Sequence, residues 1–241
     1  MFTLVELLLD WLYPRKCLFC TEIIPAGERK FCCGHCAYEA FLIEPPRCSK
    51  CGAPCQESIC DECSIHVHSF TQNLSLFIYD DIVRDMILRF KYSGKANYAP
   101  TVAALMHRGF SLPAEKIGCI DCIVPVPLHI SRKRRRGYNQ AALLAKELGK
   151  LYGKPMNEPL LRSKKTKPQS GLNALERKNN VENAFRLKPD YSCAGKTFLL
   201  IDDIYTTGST LDSCANVLKT AGAANVFCMT IAKIALNHRD D

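Results

Sequence analysis

The chain has 241 residues, 47% hydrophobic and 23% charged, with a formal net charge of +8. This is the composition of a globular protein rather than a disordered or fibrous one, and the length allows one good core with a small appendage or two modest domains. The positive charge permits polyanionic partners without selecting one.

Met1 to Tyr13 places Leu4, Leu7, Leu8, Trp11 and Leu12 on one face of an amphipathic helix. This stretch lacks a basic leading region, carries Glu6 and Asp10, and is too short to span a bilayer, so neither an export signal nor a membrane span is expected. The expected location is a reducing cytoplasm, where clustered thiols are metal ligands more often than disulfides.

Ten of the fifteen cysteines fall between Cys17 and Cys63. They include four CxxC pairs: Cys17 with Cys20, Cys33 with Cys36, Cys48 with Cys51, and Cys60 with Cys63. Each pair can grip a tetrahedral zinc from a tight turn, and eight thiolates suffice for two closed structural sites. Sequential four-cysteine knuckles are the simplest arrangement. Interleaved pairing, a single loaded site, and Cys32 in place of Cys33 stay open, and His35, His66 and His68 are expected at the surface. A closed thiolate site has no open position for substrate, so zinc here serves stability and docking. Zinc knuckles also bind single-stranded nucleic acid. Between Cys17 and His68, however, only Arg29, Lys30, Arg47 and Lys50 are basic, against seven acids.

Cysteine density falls after His68, where a domain boundary is expected. Residues 1–68 then form a zinc-binding module with its leading helix, and 69–241 an α/β domain. Leu74, Leu76 and Ile78 alternate as a strand, Ile82 to Tyr92 and Asn97 to Gly109 read as helices, and Cys119 to Val126 as a buried strand. Five consecutive cations, Arg132 to Arg136, precede a Gly137 turn and an N-cap at Asn139, which opens a helix to about Leu151. The cations suit a solvated face or a polyanion site equally. Residues 163–183 are polar, basic and short of apolar periodicity, as in a loop that is either an exposed linker or a lid over an anion.

The stretch Thr197 to Thr210, TFLLIDDIYTTGST, runs from a buried strand into Asp202 and Asp203, then into a turn of small hydroxyl residues around Gly208. A helix follows to about Ala221, and a last strand covers Val226 to Ile234. Exposed amides at a helix N-terminus favour a phosphate, and two carboxylates ending a buried strand call for a cation or sugar hydroxyls. Strands alternating with helices from residue 74 onward give a mostly parallel sheet covered on both faces.

Phe198 to Thr210 resembles the 13-residue phosphoribosyl-pyrophosphate (PRPP) motif of type I phosphoribosyltransferases. With the CxxC-rich N-terminus, Phe90 to Gly94, Val124 to Leu128, Arg136 to Gln140 and the pattern from Lys167 to Phe185, nearly the whole chain resembles the ComF family of bacterial competence proteins. The resemblance implies a type I phosphoribosyltransferase-like fold with a small cysteine-rich zinc domain and a role in DNA uptake. It assigns the 5′-phosphate to Thr206, Thr207, Gly208, Ser209 and Thr210, and the ribose, with Mg²⁺, to Asp202 and Asp203, the catalytic candidates. Pyrophosphate falls to the basic loop of Arg134, Arg135, Arg136 and Gly137, and the flexible loop contributes Lys167, Gln169 and Arg177. A DNA-uptake helicase is the implied partner, with direct binding of single-stranded DNA a weaker alternative. The acceptor is unspecified, and a silent PRPP- or nucleotide-sensing adaptor fits the same residues.

Overall fold

The computed structural model describes residues 11–12, 14, 16–25, 32–39, 42–92, 96–110, 114–163 and 183–234. The leading helix, apart from Trp11 and Leu12, and the loop positions Lys167, Gln169 and Arg177 lie outside these residues. Among the described residues, no helix is long and apolar enough to cross a membrane.

Two short helices, α1 (Gly34–Glu39) and α2 (Asp61–Ile65), belong to the cysteine-rich region. Strand β1 (Gln72–Ile78) is followed by α3 (Asp81–Tyr92), α4 (Ala99–Phe110) and a single turn, α5 (Ala114–Gly118). After β2 (Cys122–Pro125) come α6 (Ile130–Arg136) and α7 (Gln140–Tyr152). The short strands β3 (Leu160–Arg162) and β4 (Phe185–Leu187) come before and after residues 163–183, and β5 (Thr197–Tyr205), α8 (Ser209–Thr220) and β6 (Asn225–Lys233) complete the domain. The expected helices and strands thus appear with ends shifted by a few residues. The cation run, placed in a turn from sequence, instead forms helix α6, and the β3–β4 pair was not expected.

Four strands make one parallel sheet in the order β1–β6–β5–β2, while β3 and β4 pair antiparallel beside it. Successive side chains in a strand point to opposite faces, and the core divides accordingly. Leu199 and Ile201 of β5 pack with Met229, α3, α4 and α7 on one face. Phe198 and Leu200 pack with Val226, α8 and the β3–β4 pair on the other.

The cysteine-rich region contributes to both layers. Cys17, Leu18, Phe19 and Ile24 join the α3/α4/α7 face, where Phe19 meets Phe77 edge-on at 5.7 Å. Cys48, Cys51 and Phe70 join the α8 face.

Candidate functional site

Eight cysteines gather into two groups, Cys17/Cys20/Cys33/Cys36 and Cys48/Cys51/Cys60/Cys63, with the sulfurs of each group within 4.8 Å of one another. The pairing is therefore sequential, and Cys33 rather than Cys32 completes the first group. Soft thiolate sets of this spacing suit tetrahedral zinc. Burial pushes a thiol pKa up, but amides of Cys20, Cys33 and Phe19 bring Cys17 down to about 7. Amides of Cys51, Cys60 and Lys50 likewise oppose burial and bring Cys48 down to about 6. In each knuckle backbone amides thus favour the thiolate form of one sulfur, the form that binds metal. Each group is closed by its own four sulfurs, a set suited to one structural metal ion.

The second set of groups lies at the carboxyl ends of the parallel strands, where open α/β sheets hold their ligands. Asp202, Thr206, Gly208 and Thr210 line one small crevice at the end of β5. Thr207 Oγ1 and Ser209 Oγ lie 2.7 Å apart in the same turn. Gly208 precedes α8 with φ +75°, in the left-handed region, and a Cβ there would lie 2.5 Å from the Tyr205 hydroxyl. Only glycine can form this turn, because both the backbone angle and the tyrosine beneath it exclude a side chain.

The two acids are served from different faces. The Asp203 carboxylate accepts from Lys91 Nζ at 2.9 Å, both side chains being largely enclosed. Asp202 accepts from the Asp203 amide at 2.8 Å. Burial, then the neighbouring Asp203 charge, pushes Asp202 up to about 7, with Lys91 and Arg162 limiting the rise. Arg162, the last residue of β3, is itself held below its ordinary range by burial and by Arg132, while the charges of Cys214 and Asp202 oppose this. Hard carboxylate oxygens that ionise with difficulty fit a divalent cation such as Mg²⁺, which stabilises the charged form.

Residues 136–140 form a junction that ties the basic helix to the acids. Arg136 donates to Tyr92 Oη at 3.0 Å and to Gln140 Oε1 at 3.1 Å, and its guanidinium lies 4.8 Å from the centre of the Tyr92 ring. Tyr138 Oη donates to the Phe90 carbonyl, and Gln140 Nε2 to the Lys91 carbonyl at 3.3 Å. Asn139 caps α7 through the Ala141 amide and donates to the Val126 carbonyl at 3.0 Å. This junction fixes Lys91 beside Asp203, a role sequence reasoning missed although Phe90 to Gly94 was among the motif residues. Arg134 and Arg135 are exposed on α6, as is Gly137, which ends the helix with φ +82°. Arg136 is half-buried, so the five cations do not form one uniform face.

One further placement corrects the sequence reading. His68, expected at the surface, has a side chain only 8% exposed and stacks on Phe70 at 4.7 Å. Tyr205, at the end of β5, is also buried, packed against Phe70 and Lys233.

Comparison with known proteins agrees with this two-part construction. Residues 8–64 match the double zinc ribbon domain and residues 120–240 the phosphoribosyl transferase domain. Competence protein F of Haemophilus influenzae is 29% identical over 226 residues, covering 90% of this chain and 96% of that one. The DNA utilization protein YhgH of Escherichia coli K12 is 30% identical, with coverage of 90% and 96%. Competence protein ComFC of Bacillus subtilis is 30% identical, covering 83% of each chain. Matching ribbons, transferase domain and near-full-length relatives together show that the chain belongs to the ComF family of competence-associated, phosphoribosyltransferase-like proteins.

Proposed function

We propose that this protein binds PRPP with Mg²⁺, or a closely related ribose 5-phosphate ligand, at the carboxyl edge of its sheet, and acts in the uptake or use of external DNA. The observation that carries the reading is the juxtaposition of a glycine-pinned hydroxyl turn, the N-terminus of the 12-residue helix α8 and Asp202 in one crevice, with Asp203 next in the strand. Amides and hydroxyls from Thr206 to Thr210 hold the 5′-phosphate, aided by the positive end of the helix dipole. Asp202 and Asp203 orient the ribose hydroxyls, and Lys91 holds Asp203 in place. When bound, Mg²⁺ neutralises charge on the pyrophosphate leaving group. Arg134, Arg135 and Arg136 with Gly137 supply the pyrophosphate side. Such an arrangement suits phosphoribosyl transfer, in which a preorganised field stabilises charge at the breaking glycosidic bond.

Relatives named competence protein F, ComFC and DNA utilization protein YhgH support the cellular part of this reading. A second reading rests on the exposure of Lys133, Arg134 and Arg135 and on the position of the ribbons outside the crevice. In that reading the site only senses its ligand, while the ribbons dock on a DNA-translocating partner or α6 meets single-stranded DNA.

Calorimetric titration with Mg·PRPP, followed by incubation with candidate bases and assay of released pyrophosphate, separates the two readings. Saturable binding that Asp202→Asn/Asp203→Asn abolishes, with zinc content unchanged, is the expected result. Pyrophosphate release identifies an enzyme, binding without release a sensor, and failure to bind ends the ligand assignment.

A further inference from the structure

The phosphate turn does not rest on the sheet alone. Beneath Gly208 lies the Tyr205 hydroxyl, and the Tyr205 ring is gripped on two sides by groups that come from, or lead out of, the second ribbon. Phe70, fully buried, meets the ring edge-on at 6.3 Å, and His68 Nε2 lies 3.5 Å from the hydroxyl. His68 and Phe70 stack nearly parallel, with an interplanar angle of 14°. They closely follow α2, the helix that carries Cys63.

The same segment holds the helix behind the turn. The Ser69 amide donates to Asp212 Oδ1 at 2.5 Å, and His68 Nδ1 lies 4.0 Å from that oxygen. Asp212 is in the first turn of α8, and its amide donates to the Gly208 carbonyl at 2.8 Å. Both walls of the phosphate turn are thus pinned by residues 68–70.

Those residues are fixed in turn by the zinc knuckle. Lys50, between two ligand cysteines, donates to the Phe70 carbonyl, and its own carbonyl accepts from the Asn73 amide at 2.8 Å. Asn73 Nδ2 donates to the Cys51 carbonyl at 3.0 Å. On the sheet side, Lys233 is only 2% exposed, and its Nζ sits 4.0 Å from the centre of the Tyr205 ring without a hydrogen-bond partner among the described residues. The face of the Tyr205 ring therefore offsets part of the burial of this ammonium. The first ribbon takes a different route, since its Phe19 contact is made to Phe77 on the opposite face.

We propose that the second zinc ribbon and the phosphate turn form one cooperative unit, with His68, Phe70 and Tyr205 as its positioning residues, so that zinc at Cys48/Cys51/Cys60/Cys63 and a phosphorylated ligand at 206–210 strengthen each other's binding. A ribbon that orders only on binding metal fixes residues 68–70 only when loaded. Linkage then makes the effect reciprocal. The ligand half of the proposal rests on the PRPP reading above; the mechanical half does not.

The test therefore has two readouts on the full-length, zinc-loaded protein. Amide hydrogen exchange of the 206–210 stretch is compared among wild type, Cys33→Ser, Cys60→Ser and His68→Ala, the last of which leaves all eight ligand cysteines in place. Titration with Mg·PRPP and zinc release to a chromogenic chelator follow on the same samples. Faster exchange at 206–210 in Cys60→Ser and His68→Ala but not in Cys33→Ser is expected. So are a roughly fivefold to tenfold loss of PRPP affinity in those two variants and slower zinc release when PRPP is present. Should Cys60→Ser not fold, His68→Ala carries the comparison. Unchanged exchange in His68→Ala, or an equal rise in Cys33→Ser, overturns the proposal. A wild type that does not bind PRPP removes the ligand assignment, while the exchange data still decide whether ribbon and turn are joined.

Discussion

On one face of the sheet the first ribbon lays Phe19 against Phe77 and joins the layer of α3, α4 and α7; on the other, the second ribbon sets Phe70 beneath Tyr205 and joins α8. The ligand chemistry of the ribbons is the same, and each packs apolar side chains into a core layer. They differ in what lies beyond that contact. The first face ends in α3, whose Lys91 serves Asp203. The second leads through His68 and Tyr205 to Gly208 and the phosphate turn. The acid pair sits at the seam, with Asp203 paired to the first face and Asp202 influenced by Lys91 from the first and Arg162 from the second. A site assembled this way requires both layers to be in place, although each layer brings a different part of the ligand's surroundings.

The largest effects should come from breaking the two anchors. Phe19→Ala and Phe70→Ala each remove a buried ring, at a cost of about 3–5 kcal/mol in chemical denaturation. The faces are distinguished by what accompanies the loss. Phe70→Ala should also weaken binding at the phosphate turn at temperatures where the protein is still folded, while Phe19→Ala should not. Equal losses of ligand affinity at matched stability would erase the distinction between the faces.

A smaller effect, readable by pH, comes from Asp202. Its folded-state pKa, raised to about 7 from the ordinary 3.8, means that the folded apo protein keeps a proton that the unfolded chain releases. The associated stability is fully present below about pH 4 and is lost as pH rises through about 7, by on the order of 4 kcal/mol. Asp202→Asn should flatten that part of the profile, so that the difference between variant and wild type isolates this carboxyl from all others. Lys91→Met on the first face and Arg162→Met on the second each remove a charge that lowers Asp202. Each should move the transition upward, and the larger movement identifies the face that governs the acid.

How much of this was legible in the sequence follows from the range of each signal. CxxC spacing is set by the bite of two thiolates, so all eight ligands and the simplest pairing could be read locally. The acid pair and hydroxyl turn could be read for the same reason, as could the Asn139 cap. His68 could not, since nothing in His66-Val67-His68 shows which side chain meets a phenylalanine two residues on and a tyrosine 137 positions away. Lys91, Arg162 and Lys233 are single cations whose partners lie on other elements. Strands β3 and β4 have three residues each, too few to show a period of two, and their partners are separated by the loop. Helix α6 was hidden by its charge: a run of five cations suggests a solvated face, although Arg132 and Arg136, four apart, share the inward side of a helical turn.

The smallest effects compare two glycines at the edges of the site. Gly208 and Gly137 both adopt the left-handed region, with φ +75° and +82°. At Gly137 an added Cβ meets nothing within 4 Å, so Gly137→Ala bears only the backbone cost of about 1 kcal/mol. At Gly208 the same atom falls 2.5 Å from the Tyr205 hydroxyl and 2.8 Å from its ring carbon, and Tyr205 has little freedom to yield between Phe70, His68 and Lys233. Gly208→Ala should therefore cost about 2–3 kcal/mol, the backbone cost plus that of overpacking. It should also speed zinc loss from the second ribbon, because Tyr205 presses back on residues 68–70, whereas Gly137→Ala should leave both ribbons unchanged. A Gly208→Ala protein with normal zinc retention and a loss no larger than that of Gly137→Ala would show that the turn and the ribbon move independently.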